Sequence, residues 1–98
     1  PTQMKVISIN ERNIDWCEEV AAKLDAAGFR VESDHRSEKL GFKLREAQLA
    51  KIPYMIVIGD NEMNEKVISV RSRKDGDLGT MSLDDFIARC EEEVRLKK

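Results

Sequence analysis

Histidine and cysteine are scarce in this sequence, and their spacing excludes several kinds of site. The chain has one histidine, His35, and two distant cysteines, Cys17 and Cys90. No two cysteines are closely spaced, so the sequence predicts no metal site of the zinc-finger kind. Both cysteines fall on apolar helical faces, which predicts buried reduced thiols, as in a cytosolic protein. A disulfide stays open, because spacing alone gives no geometry.

Long apolar runs and glycine-rich phosphate loops are also missing. No apolar segment approaches the ~18 residues that indicate a membrane span, and no secretory signal is visible. The glycines at 59, 76 and 79 lie in turn-like segments, not in a GxGxxG or P-loop pattern. We therefore expect no membrane partner and no nucleotide-phosphate cradle. The sequence begins at Pro1 rather than methionine, and we expect a fragment of a longer protein.

The charge is unevenly distributed along a chain whose formal net charge is only −2. Residues 36–51 carry five basic and two acidic side chains, and residues 66–75 carry four basic and one acidic. The segment between them, residues 52–65, has three acidic and no basic side chains. If the fold brings the two basic segments together, they form a local basic patch on an acidic body.

The apolar spacing predicts one α/β domain over residues 1–98, with the order β-α-β-α-β-β-α. Strand–helix–strand units favour parallel pairing of the first three strands, and a short turn makes the fourth antiparallel. We therefore expect a mixed, mostly parallel sheet of four or five strands with three helices. The expected strands are 4–9, 29–34, 54–58 and 67–73; the helices follow Asn10 or Asn13, Ser37 and Ser82; residues 59–62 and 75–79 are a turn and a loop.

Catalytic patterns are weak in this chain. His35 stands beside Asp34 and Ser37, which resembles a Ser-His-Asp triad only in composition, because residues this close on one loop rarely reach triad geometry. The acidic pair at 84–85 and the three glutamates at 91–93 suit helix capping and solvated helix faces. We assign no catalytic and no metal-binding residue.

A cationic group near the second helix points to an anionic partner. Its alternative explanation is an ordinary solvated helix flank. The group comprises Arg36, Lys39, Lys43 and Arg45, with Lys39 and Lys43 one helical turn apart.

Three further side chains suit recognition of single-stranded bases. Arg71 and Arg73 point to one side of the fourth strand, where a guanidinium can contact phosphate or a base edge. Glu62 lies in the turn before that strand, and a carboxylate can accept hydrogen bonds from base N–H groups. Phe42 and Tyr54 could stack on bases, but we expect both in the core.

Three segments of the chain resemble the C-terminal anticodon-binding domain of threonyl-tRNA synthetase, a class II aminoacyl-tRNA synthetase. They are Glu-Lys-Leu-Gly-Phe-Lys at 38–43, Gly-Asp-x-Glu at 59–62, and Val-Arg-x-Arg followed by Asp-Leu-Gly-x-Met at 70–81. The resemblance runs from Lys5 to Val94. It implies a mixed sheet of about five strands with three helices.

The resemblance also implies a function, which is reading the second and third anticodon bases, guanine and uracil, of threonine tRNA. Glu62 and Arg71 match base-contacting positions of the family. Ser37 stands where the bacterial pattern has asparagine, so its single hydroxyl replaces an amide's donor and acceptor. Arg36, Lys39, Lys43, Arg45 and Arg73 are then backbone or supporting contacts.

The full enzyme that the chain resembles is a cytoplasmic homodimer that attaches threonine to tRNA and uses ATP, magnesium and zinc in its catalytic domain. The fragment is expected to hold no cofactor, to catalyse nothing by itself, to be monomeric and to bind no DNA. The alternative is a stand-alone accessory or protein-interaction domain of the same fold.

Overall fold

A computed structural model describes residues 1–97; Lys98, the last residue of the predicted domain, lies outside the described residues. Within residues 1–97, five strands and four α-helices follow one another, with a 3-10 turn before the first helix. They are β1 (Met4–Ser8), the 3-10 turn (Glu11–Asn13), α1 (Ile14–Ala26), β2 (Val31–Asp34), α2 (Leu40–Leu49), β3 (Tyr54–Ile58), α3 (Asp60–Glu65), β4 (Ile68–Ser72), β5 (Gly76–Met81) and α4 (Leu83–Lys97).

The five strands form one mixed sheet in the order β2-β1-β3-β4-β5. β1 pairs in parallel with both β2 and β3, while β4 is antiparallel to β3 and β5. The predicted mixed sheet and the direction of each predicted strand are confirmed. Because β1, β2 and β3 are parallel, their C-termini meet along one side of the sheet, called here the carboxyl edge. The opposite side, where β3 begins and β4 ends, is the amino edge.

Helices cover both faces of the sheet, and the strand residues alternate between them. One face, with Met4 and Val6 of β1, packs against α1 and α4 in the larger core cluster. The other face, with Ile7 of β1 and Met55 of β3, packs against α2 through Ala47. The continuous apolar run of β3 is explained by this arrangement, because a central strand is buried on both faces.

Residues 59–65 differ from the expected turn. Asp60–Glu65 form the short helix α3, which ends at Lys66 in a left-handed conformation with φ 56°. The start of the helix is capped by a hydrogen bond from the Gly59 N–H to the Glu62 side chain. Five of its six residues are polar and Met63 alone gives no apolar periodicity, and this is why the sequence pattern did not indicate a helix.

Residues 75–79 also differ from expectation, since the chain forms strand β5 from Gly76 onward. Gly76 and Gly79 both have positive φ, which is typical of turns. Here the positive φ values accompany a register shift against β4 between Val70 and Arg71. Glycines in a strand often mark such bulges, and they hid this strand from the pattern analysis.

Two helix details are corrected by the structure. Ser37 does not cap α2, because the N-cap position is Lys39 and no side chain caps this end. The apolar spacing of the last helix predicts that Val94 lies in its buried stripe, but the structure leaves this side chain 61% exposed. Ser82 does cap that helix, and its hydroxyl accepts a hydrogen bond from the Asp85 N–H. No helix within residues 1–97 is long and apolar enough to cross a bilayer.

Candidate nucleic-acid interface

A cavity of about 670 Å³ lies at the carboxyl edge, between the starts of the first two helices. In open α/β sheets, ligands commonly bind at this edge, where loops from neighbouring strands diverge. The lining combines polar and apolar side chains from the ends of β1 and β2. These are Ser8, Ile9, Asn10, Glu11, Ile14, His35, Arg36, Ser37, Glu38, Lys39 and Lys43.

Glu62 lies on α3, beside this edge, and is partly buried. Its Oε1 accepts a hydrogen bond from the Gly59 N–H at 2.8 Å. Within residues 1–97 its other carboxylate oxygen receives no hydrogen bond. One oxygen therefore orients the side chain, and the other can accept a hydrogen bond from a ligand.

Gly59 is required by a close approach rather than by its φ value. A Cβ at this position would lie 2.9 Å from Cδ1 of Ile9 and 3.3 Å from Oε1 of Glu62. Carbon atoms pack best at about 3.5–4.0 Å, so any side chain here pushes against both neighbours. A side chain at residue 59 would therefore displace the end of Ile9 or of Glu62, a role for Gly59 that the sequence pattern did not indicate.

The short helix α3 is tied to the start of α1 by a second carboxylate. Asp60 accepts hydrogen bonds from Arg12 at 2.9 and 2.6 Å and from Nδ2 of Asn13 at 2.9 Å. These donors, Arg12 first, lower the pKa of Asp60. Asn13 is fully buried, so the link is built into the fold and fixes α3 and its Glu62 against α1. Sequence reasoning missed it because its partners are almost 50 residues apart.

Arg71 lies within the sheet rather than at the carboxyl edge. It is partly buried on β4, where its register partners are Met55 of β3 and Asp77 of β5. It shares its face of the sheet with Met55, beside α2. Within residues 1–97 its guanidinium forms no ion pair. Buried and partly buried residues alternate along β4, and Arg71 is one of the partly buried ones.

Arg73 lies one residue beyond β4, at the amino edge, and not beside Arg71 on the strand. Its backbone N–H donates to the Pro53 carbonyl at 2.8 Å, and its Nε donates to the Gln48 carbonyl at 3.3 Å. This second contact satisfies a carbonyl in the last turn of α2. Arg73 is therefore separated from Glu62 by the length of the sheet.

Lys43 was expected on the surface as an RNA backbone contact, and the structure corrects its position. Its side chain is 2% exposed, and its Nζ donates to the Ser8 carbonyl at 3.0 Å. Although one helical turn from Lys39, it points into the fold because α2 packs against the sheet through this side. Lys39 and Arg45 are exposed. The ammonium group of Lys43 joins α2 to the end of β1.

Arg36 is occupied by partners within the fold. Its guanidinium binds both carboxylate oxygens of Asp34, at 2.9 and 2.8 Å, and one of Glu46 at 2.5 Å. The hydrogen bonds from Arg36 lower the pKa of Asp34 to about 2. The guanidinium also lies 5.6 Å from the ring centre of Phe42. Phe42 is 45% exposed, contrary to the expectation of a core position, whereas Tyr54 is partly buried against Phe86.

Ser37 and His35 have different surroundings, although both line the carboxyl-edge cavity. Ser37 is exposed. His35 is bonded through Nδ1 to the Ser8 hydroxyl at 3.0 Å and through Nε2 to Glu18 at 2.6 Å. Neither Asp34 nor Ser37 is its partner within the described residues, so the triad-like composition on this loop corresponds to no triad.

The five-stranded mixed sheet, with helices on both faces and polar side chains at its carboxyl edge, defines a small α/β recognition domain. The chain matches the family described as "Anticodon binding domain" over residues 3–93, and it belongs to this family.

The curated relatives place the chain within the threonyl branch. It is 53% identical over 97 residues to the threonine–tRNA ligase of Clostridium novyi (strain NT), and 55% identical over 97 residues to that of Clostridium acetobutylicum. Each match covers 99% of this chain but 15% of the relative. The resemblance to the anticodon-binding domain of threonyl-tRNA synthetase is confirmed.

Solved structures agree with this placement. The RNA binding domain of threonyl-tRNA synthetase from Cryptosporidium parvum Iowa II superposes with a TM-score of 0.88 at 32% identity, covering 94% of this chain and 23% of that chain. Prolyl-tRNA synthetase from Cryptosporidium parvum, complexed with L-proline and AMP, gives a TM-score of 0.86 at 20% identity, covering 97% and 22%. This second likeness shows the shared fold alone.

Proposed function

We propose that this chain binds the anticodon loop of threonine tRNA and reads its second and third bases, guanine and uracil. Residues 1–98 would act as the anticodon-binding domain of a longer, cytoplasmic, homodimeric threonine–tRNA ligase. The support is membership of the anticodon-binding family and the likeness to relatives of that name. ATP, magnesium and zinc would serve the chemistry elsewhere in the longer protein, and this domain would supply recognition.

The position of Glu62 carries this proposal. A carboxylate repels phosphate, so a recognition role for Glu62 points to base edges that present N–H donors. One of its oxygens is held by the Gly59 N–H at 2.8 Å, and the other is free of partners within residues 1–97. A prepositioned acceptor of this kind suits the N–H group of uracil or guanine in an unstacked loop.

Arg71 would supply the complementary donors. Its planar guanidinium can pair with O6 and N7 of guanine, the commonest specific contact of arginine with a base. Partial burial against the sheet limits its movement, and no carboxylate of residues 1–97 neutralises it. Ser37 and Lys39 at the start of α2 would contact the loop from the side of the carboxyl-edge cavity.

Fluorescence anisotropy with a threonine-tRNA anticodon stem–loop tests the proposal. The intact loop should bind more tightly than loops with the second or third anticodon base changed. Glu62→Gln should remove about 1–3 kcal/mol of discrimination at one of these positions. Glu65→Gln is the matched control, because Glu65 is an exposed carboxylate on the same short helix.

The second variant separates charge from geometry at Arg71. Arg71→Lys keeps the positive charge but loses the paired donors, so discrimination should fall more than overall affinity. Arg30→Lys, at an exposed loop position, is its control. Equal binding of all loops by the unaltered chain would refute base reading, and failure to bind any loop would favour the interaction-domain alternative.

A further inference from the structure

The amino edge of the sheet carries a second cavity, which the proposed base reading leaves unused. Its volume is about 520 Å³, and it lies between the α2–β3 connection, the β4–β5 turn and the last turns of α4. Four cations line it, together with two carboxylates. The cations are Lys51, Arg73, Lys74 and Lys97, and the carboxylates are Asp75 and Glu93.

The two basic segments of the sequence meet at this cavity. Residues 36–51 and 66–75 are separated along the chain by the apolar strand β3. The fold joins their far ends, since Arg73 donates to the carbonyls of Pro53 and Gln48. Lys51 from the first segment and Lys74 from the second therefore line one cavity. The local basic patch forms here, on the side of the sheet opposite Glu62.

The cations of the two edges differ in their partners. At the carboxyl edge Arg36 is paired with two carboxylates, and Lys43 is bound to a carbonyl. Within residues 1–97, none of the four cations at the amino-edge cavity has a carboxylate oxygen within 4 Å. Glu93, one of the two carboxylates, instead accepts a hydrogen bond from the Tyr54 hydroxyl at 2.6 Å. Arg73 donates to the Gln48 carbonyl, whereas the three lysines have no side-chain hydrogen-bond partner within residues 1–97. Like charges gathered in this way favour an anion.

Lys51 has an unusual backbone conformation directly after α2. Lys51 has φ 62°, a left-handed conformation that glycine adopts without cost but lysine does not. Lys66 has the same conformation, and there the ammonium group lies 4.8 Å from the ring centre of Trp16. Lys51 has no such contact within the described residues. This backbone closes the end of α2, since the Lys51 N–H donates to the Gln48 carbonyl at 3.0 Å and the Ile52 N–H to the Ala47 carbonyl at 3.1 Å; it places the Lys51 side chain at the cavity.

We propose that the amino-edge cavity binds the phosphodiester backbone of RNA, at a site separate from the base-reading surface. This proposal rests on the proposed function, which makes RNA the partner. The cavity can hold phosphates but is poorly equipped to read bases. Its one aromatic side chain, Tyr54, is committed through its hydroxyl to Glu93 and through its ring to Phe86 at 5.2 Å. Lysines bind phosphate as point charges and carry no sequence information.

The salt dependence of RNA binding tests the site. Affinities of the unaltered chain, Lys51→Gln, Lys74→Gln and the double variant are measured against a uridine oligonucleotide and the threonine anticodon stem–loop. Each lost contact with single-stranded RNA should reduce the slope of log affinity against log salt by about 0.7, and the double variant by about 1.4. Lys23→Gln, an exposed lysine on α1, changes the net charge equally and should leave the slope unchanged.

A fourth variant separates function from stability at Lys51. Lys51→Gly relieves the left-handed backbone, so its melting temperature should rise while its RNA affinity and salt slope fall as in Lys51→Gln. A side chain with only a structural role would not give this combination.

The proposal is wrong if the variants at Lys51 and Lys74 bind both RNAs with the same affinity and salt slope as Lys23→Gln. It is also wrong if no RNA binds at low salt. The proposed base reading is tested separately, because its test compares the intact stem–loop with loops in which an anticodon base is changed. An effect of Lys51→Gln on the uridine oligonucleotide, without base preference in the stem–loop, would keep the phosphate site and reject base reading.

Discussion

A methyl group added at Gly59 should disturb base recognition although no recognition residue is substituted. In Gly59→Ala the new Cβ would lie 2.9 Å from Cδ1 of Ile9 and 3.3 Å from Oε1 of Glu62. The first separation is at least about 0.6 Å below a comfortable carbon–carbon contact. Because φ at residue 59 is −115°, alanine adds no backbone strain, and the effect is steric alone.

The cost can be bounded from the surroundings. Adding a methylene to a tightly packed site typically costs about 1–3 kcal/mol. Ile9 is 44% exposed and can rotate toward solvent, so we expect a loss near 1 kcal/mol in the free energy of unfolding. The carboxylate of Glu62 has less freedom, because its bond to the residue 59 N–H orients it. Its displacement should remove part of the discrimination at the base that it contacts.

Urea unfolding and stem–loop anisotropy measure these two effects on the same protein. A second change, Ile9→Ala, removes the atom that the new methyl group meets. The double variant should lose less free energy of unfolding than the two single variants lose together. Its base preference should partly return. Gly59→Ala with unaltered stability and unaltered base preference would refute the argument that this glycine positions Glu62.

Three other measurements address different parts of the structure. Lys43→Met leaves the Ser8 carbonyl without its donor, so urea unfolding should show a loss of about 1–3 kcal/mol, with base preference unchanged; a changed preference would return Lys43 to the interface. The pKa of Asp34 is about 2 in the fold, against 3.8 for the free group, so the unfolded chain binds more protons between these values. Its contribution, about 2 kcal/mol, should be present above pH 4 and fade toward pH 2, and Asp34→Asn should flatten that part of the stability profile. Lys66→Gly relieves a left-handed backbone but loses the contact with Trp16, two effects of about 1 kcal/mol each, so its melting temperature should stay within a few degrees of the original.

Much of the fold could be predicted because the strongly periodic segments determine it. The apolar run at 54–58 indicated a strand, and Gly28, with φ 97°, follows the first helix, where glycine commonly ends a helix. The short helix α3 and the glycine-containing strand β5 could not be predicted, since neither has an apolar period. The conformation of α3 also depends on contacts formed only in the fold, such as the hydrogen bonds from Arg12 to Asp60.

The residue types at the site could be predicted from the sequence, but their arrangement in space could not. Glu62 and Arg71 were singled out for their chemistry, and their proposed roles remain to be measured. The burial of Lys43 could not be deduced, because helical spacing places it beside Lys39 but does not show which side meets the sheet. Arg73 was grouped with Arg71 by alternation, yet the strand ends between them. The link from Asp60 to Arg12 joins residues that only the folded chain brings together.

Both outer strands of the sheet are poor templates for a further strand. β2 is four residues long and carries the exposed carboxylate of Glu32, while β5 carries two glycines with positive φ and follows a bulged register. Short, charged or twisted edges of this kind resist edge-to-edge pairing between molecules. We therefore expect the isolated chain to sediment as a monomer over a wide range of concentration. The sheet itself gives it no means of self-association, and dimerisation of a longer protein would have to use other surfaces.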